Sequence, residues 1–195
     1  MAGLKRRGTS NDEERKPIAL LDEGDYEGRL VYVADLGLQV NEYKGEVKQP
    51  TQQISLGIEI IGESVMIDDV ERPRLMFTKP FNIFNKLTEK GNELKYLRIF
   101  NPKAVEGVVG DWEAVLDTPV NVTVVNTTNG DNTYNNIGLL APIPAKYQGS
   151  VGKSTITPAI GDADDEENVV TQSLFGLSKF VFDKRLPSQS DDVPF

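Results

Sequence analysis

Between residues 72 and 103 the chain interleaves cations with aromatic rings. The run reads Arg72-Pro73-Arg74-Leu75-Met76-Phe77-Thr78-Lys79-Pro80-Phe81-Asn82-Ile83-Phe84-Asn85-Lys86 and continues to Lys95-Tyr96-Leu97-Arg98 and Lys103. It holds eight basic and two acidic side chains, a local charge of +6 in a protein whose net charge is −9. Cations spaced this way can follow phosphates while rings stack on bases, at roughly 1–3 kcal/mol per stacked base. On a strand, Arg74, Met76 and Thr78 share one face, and Leu75, Phe77, Lys79 and Phe81 share the other. Taken singly, each Phe suits a core and each cation a solvated position. Taken together, eight cations against two acids in an acidic chain point to a surface for nucleic acid. The candidate contacts are Arg72, Arg74, Phe77, Lys79, Phe81, Lys86, Lys95, Tyr96 and Arg98. Two loops, residues 41–48 and 126–134, add Tyr43, Lys44, Lys48 and Tyr134, although an ordinary exposed Tyr fits both tyrosine positions.

A second constellation closes the chain: Asp191-Asp192-Val193-Pro194-Phe195. An exposed Phe at the end of a polar tail adds nothing to a core. It suits a ligand, with a ring for a partner's apolar pocket and carboxylates beside it for an Arg or Lys. Asp191, Asp192, Pro194 and Phe195 are therefore candidate partner-binding residues. From residue 161 onward the charge is −5, opposite in sign to the basic segment.

Other chemistry is largely excluded. Cys and His are both absent, which removes disulfides, thiolates, the usual zinc ligands and the commonest general base. Asp68, Asp69 and Glu71 are more simply three solvated acids than a Mg²⁺ site. Gly152-Lys153-Ser154-Thr155 lacks the Gly that a phosphate loop needs five residues earlier, where Tyr147 stands, and prolines flank it. No cofactor, metal or enzymatic activity is expected. The N-terminus has no apolar run after its basic residues, and no stretch is long enough to span a membrane. That points to a cytoplasmic protein.

The elements that must position these residues are mostly strands. Residues 1–16 read as a flexible arm, 17–160 as one globular domain, and 161–195 as an acidic linker, an apolar docking segment and the tip. Residues 26–34 are rich in β-formers with both faces apolar. Residues 53–60 alternate at period two, and Gly57 among them suggests a bulge or bend. Further strands are expected over 75–81, 120–125 and 134–140, the last two joined by a turn around Asn129-Gly130. Helices are expected over 92–100 and, from the spacing of Val105, Val108, Val109, Trp112 and Leu116, over 105–116. Three strands, a helical connection and a two-strand hairpin give the order of an OB-fold, a five-stranded Greek-key barrel. The apolar residues Leu174, Phe175, Leu177, Phe180, Val181 and Phe182 should dock, either on their own barrel or on another copy.

The tip, the basic-aromatic segment and the strand order together resemble single-stranded DNA-binding proteins of tailed phages. Phe77-Thr78-Lys79-Pro80-Phe81-Asn82, Phe100-Asn101-Pro102 and the Asn129-Gly130 to Tyr134 hairpin carry the likeness in the body, over residues 17–145. The final five residues resemble the acidic tip of the bacterial proteins, with Val193 where Ile is usual. The resemblance implies an OB-fold, and coating of replication, recombination and repair intermediates without sequence preference in a bacterial host cell. It also implies replication proteins as partners of the tip. Two other readings stay open: a recombination or annealing mediator, and an interaction protein that imitates the host tail without binding DNA.

Overall fold

The computed structural model describes residues 18–187. The 1–16 arm and the tip residues Asp191, Asp192, Pro194 and Phe195 lie outside the described residues, as does the side chain of Tyr43. Four long strands and one shorter one build the body: β1 (Gly24–Tyr43), β2 (Glu46–Ile67), β3 (Val70–Phe77), β5 (Pro119–Asn129) and β6 (Asn132–Pro142). They lie in the order β3-β2-β1-β5-β6 and pair antiparallel. The two-residue strand β4 (Phe81–Asn82) adds to β2, and β7 (Ala159–Ile160) adds parallel to β1. The fold is mainly β, and helix α1 (Asn92–Phe100) lies between the third and fourth of the five main strands. Among the described residues, no helix is long and apolar enough to cross a membrane.

Tight turns set the registers. Lys44 and Gly45 have φ of 55° and 80°, and Asp68 and Asp69 have φ of 52° and 60°. Two-residue loops with positive φ match the right-handed twist of paired strands, and Gly, Asn and Asp reach that region most cheaply. The β1–β2 and β5–β6 hairpins leave opposite ends of β1, because β2 pairs with its distal end and β5 with its start. No ladder joins β3 to β6 among the described residues, so the sheet is open. Side chains stitch that seam instead. Arg74 donates to Asn135 Oδ1 at 2.5 Å and to Ala19 O at 2.7 Å, and Leu21 N donates to the same Asn135 oxygen at 2.8 Å.

A bulge divides the interior. Leu30 pairs with Ile58 and Tyr32 with Gly57, which leaves Val31 as an extra residue on β1. A Cβ on Gly57 would stand 2.8 Å from Tyr32 Cβ and 3.0 Å from the Phe77 ring, so only glycine fits opposite the bulge. The shift sends Leu30 and Val33 to the inner face, where they join Leu56, Ile58, Ile60, Leu94, Trp112, Val120 and Val122. Val31, Tyr32, Ala34 and Leu36 go to the outer face. That face is covered by residues that follow the one-turn helix α2 (Ala145–Gln148): Ala163, Val170 and Leu174, with α3 (Val169–Gln172), and Phe182 of α4 (Gly176–Asp183). The apolar docking segment therefore lies on its own sheet.

Two expected elements differ. The third strand spans Val70–Phe77 and not 75–81, because Pro80 has no N–H to continue a ladder. Thr78 N still bonds Leu56 O before the proline, and pairing resumes beyond it with Ile83 N on Gln52 O. The helix expected over 105–116 is absent apart from a 3-10 turn at Glu113–Val115. Gly107 takes φ of 83°, and its N–H bonds to Leu87 O while Val108 O accepts from Leu87 N. Loop bonds thus replace helical ones, leaving Val105, Val108 and Val109 exposed.

Candidate nucleic-acid interface

The basic segment separates into two populations. Arg72, Lys79, Lys86, Lys90, Lys95 and Lys103 are all exposed, and no carboxylate pairs with them among the described residues. They fall on β3, on the β3–β4 and β4–α1 connections, on α1 and just after it. The two acids of the segment leave this charge uncompensated. Glu89 holds Arg98 in a two-pronged contact of 2.6 and 2.8 Å. Each partner stabilises the other's charged form, so Glu89 titrates below its usual range and Arg98 above. Glu93 is buried, accepting from Trp112 Nε1 at 3.3 Å and Phe84 N at 3.4 Å, and burial pushes its carboxyl above the ordinary range.

Arg74 and Phe81 require correction as DNA contacts. Arg74 is 7% exposed and spends its guanidinium on the seam, where desolvation lowers its pKa. Phe81 is buried and stacks on Tyr96, with centroids 4.7 Å apart, beside Trp112. Arg98 is half-exposed but engaged with Glu89 and with Ala104 O. Tyr96 is half-buried, and with Lys95 it lines a cavity of about 270 Å³ between α1 and β6. Lys48 is exposed and paired with Glu46. Lys44 occupies the β1–β2 turn, and Tyr134 is exposed on β6 beside the opposite hairpin. The structure therefore brings Lys95 and Tyr96 together but leaves Tyr134 and the β1–β2 hairpin at separate ends.

Phe77, the last residue of the edge strand β3, packs against the outer cluster. Its ring meets Phe175 edge to face, with centroids 5.3 Å apart. Beside it runs a polar chain: Ser178 donates to Ser55 Oγ at 2.9 Å, and Ser55 donates to Thr78 O at 2.8 Å. The α4 helix thus lies on β1 and, through Ser178, on β2, while Phe175 just before it covers Phe77 at the end of β3.

The Gly152-Lys153-Ser154-Thr155 run does present donors to an anion, and that anion is Glu59. The buried Glu59 carboxylate accepts from Thr155 N, Thr155 Oγ1 and Ile156 N at 2.6–3.0 Å. Arg29, directly opposite Glu59 on β1, holds the same segment by donating to Gly152 O at 2.6 Å and Val151 O at 3.2 Å. Among the described residues, no group of three or more acids is placed to hold a metal ion.

Sequence reasoning passed over Phe84, Lys90 and the role of Glu59. Phe84 is half-exposed two residues from Lys86, and its place inside the basic-aromatic run was the signal for it. Glu59 had a subtler signal, an acid at the centre of an apolar strand. No protein-family model matches the chain, and no curated protein matches its sequence.

Proposed function

We propose that the protein binds single-stranded DNA without sequence preference during replication, recombination and repair, in the cytoplasm of a bacterial host. The observation that carries this reading is the set of six exposed cations between residues 72 and 103 that no carboxylate pairs with among the described residues. Both acids of that segment are withdrawn, one into an ion pair and one into the core. Such cations on a protein of net charge −9 are not needed for solubility, and they suit a polyanion. The exposed ring of Phe84 offers a stacking surface within the same run, and that of Tyr134 another on the β5–β6 hairpin. The strand order, with α1 before the final hairpin, supports reading the body as an OB-fold, in which the hairpins at opposite ends of β1 would flank the strand. Residues 191–195 recruit replication proteins in this reading.

Anisotropy with labelled single- and double-stranded oligonucleotides at two salt concentrations tests it. Single strands should bind more tightly, with a salt slope of about −0.7 per phosphate neutralised. Reversing two cations together, Lys79→Glu with Lys86→Glu, should weaken binding by about tenfold and flatten that slope. Deleting residues 191–195 should keep or tighten DNA affinity while abolishing capture of replication proteins. No affinity for single strands at low salt would refute the reading and favour an interaction protein that carries the tip alone.

A further inference from the structure

We propose that residues 157–187 form a displaceable cover over the Phe77 platform, and that the cover and single-stranded DNA compete for it. This rests on the single-stranded DNA reading above and adds the regulation of the same site. Three sets of observations carry it.

The platform is built for a planar ligand. Gly57 places no side chain next to Phe77, and a Cβ there would touch the ring. Lys79 follows two residues along and is exposed. The ring that occupies Phe77 is Phe175, which is itself half-exposed and therefore gains little burial by being there. A nucleobase can replace it with the same kind of ring contact.

The cover is loosely tied. Its helices have four and eight residues, too few to be stable without the sheet. Its main-chain bonds to the sheet are the two-residue β7 pairing, Gly161 N to Val33 O, and Leu186 N to Leu38 O. Its ion pairs are internal: Lys179 with Asp183, and Arg185 with Glu166. Across the interface, burial first and then the nearby Asp162 and Asp164 push the Asp35 carboxyl above its ordinary range. Phe175, Leu177 and Phe180 stay half-exposed on the cover, so only one of its sides is buried. Segments with few main-chain ties and one-sided burial open before the rest of a domain does.

The cover also has a defined hinge. Glu59 and Arg29 clamp residues 151–156 to the sheet, and Pro158 comes two residues after the clamp. The chain beyond the clamp can lift while the clamp stays.

The test uses the absence of cysteine from the chain. The Ser55 and Ser178 hydroxyls lie 2.9 Å apart, so the double variant Ser55→Cys, Ser178→Cys places two thiols within reach of a disulfide. Oxidation locks the cover, and dithiothreitol frees it in the same preparation. The oxidised protein should bind a labelled oligothymidylate at least about tenfold more weakly than the reduced one, because only the open fraction binds. A second variant needs no cross-link. Phe182→Asp removes a buried anchor of the cover, and it should tighten oligothymidylate binding by about threefold or more. Equal affinity of oxidised and reduced protein, or unchanged affinity in Phe182→Asp, overturns the cover and leaves DNA binding standing. A reduced protein with no affinity for the oligothymidylate removes the DNA reading, and the cover with it.

Discussion

The sheet carries an apolar cluster on each face, and the two are closed in different ways. The inner cluster is enclosed by β1, β2, β3, β5 and β6 with α1 across one end, and its members Leu30, Leu56, Ile58, Ile60, Leu94, Val120 and Val122 are fully buried. The outer cluster rests on the same β1 but is closed by short helices that show Phe175, Leu177 and Phe180 to solvent. Strand ladders hold the inner cluster everywhere but at the β3–β6 seam, which side chains close. Side-chain contacts and a few main-chain bonds hold the outer one. Equal losses of apolar contact should therefore act differently, unfolding the domain in one place and undocking a segment in the other.

The largest effect belongs inside. Leu56→Ala removes a fully buried side chain, so it should cost about 2–5 kcal/mol of global stability. Urea unfolding followed by the fluorescence of Trp112, the single tryptophan and a member of the inner cluster, measures it.

The matching change outside is Phe182→Ala, of a residue 3% exposed. Its truncation is worth about 3–5 kcal/mol locally. The Trp112 midpoint should nevertheless move less than in Leu56→Ala, while amide protection disappears from residues 159–186. Equal shifts of the midpoint would show one cooperative unit and break the comparison.

Arg74→Met probes the seam between β3 and β6. It leaves Ala19 O and Asn135 short of donors and should cost about 1–3 kcal/mol by the same urea assay. A loss in this range would place the seam with the inner cluster.

The smallest effect is on pH. Burial raises the Glu93 carboxyl above its ordinary 4.5, so between 4.5 and that raised value the folded chain binds more protons than the unfolded one. Glu93 therefore contributes increasing stability as pH falls through that window. The Glu89–Arg98 pair acts in the opposite sense, and below 4.5, because the Glu89 pKa is lowered. Glu93→Gln should flatten the pH dependence of the Trp112 midpoint just above 4.5 and leave it unaltered below.

Much of the sheet was legible from local pattern. The period-two run at 53–60, the Asn129-Gly130 turn and the helix at 92–100 follow from residue types alone, and Gly57 marks a bulge although the extra residue is Val31 on the facing strand. The uniform burial of residues 54–60 was not legible. Ser55 and Glu59 are polar because they face Ser178 and Thr155, more than ninety residues later, and periodicity carries no such distance. The candidate site was legible as a charge segment but not residue by residue. Arg74 and Lys79 look alike in sequence, yet only Arg74 meets Asn135 and becomes part of the seam. The 105–116 spacing suggested a helix, but two glycines and the Leu87 bonds drew the chain into a loop.

Hydrogen exchange with and without oligothymidylate tests the central claim most directly. In the free protein, residues 159–186 should exchange faster than β1 and β2. Saturating oligothymidylate should speed exchange in 159–186 further and slow it in β3 around Phe77. Slower exchange in both regions, or no change in either, would contradict the account.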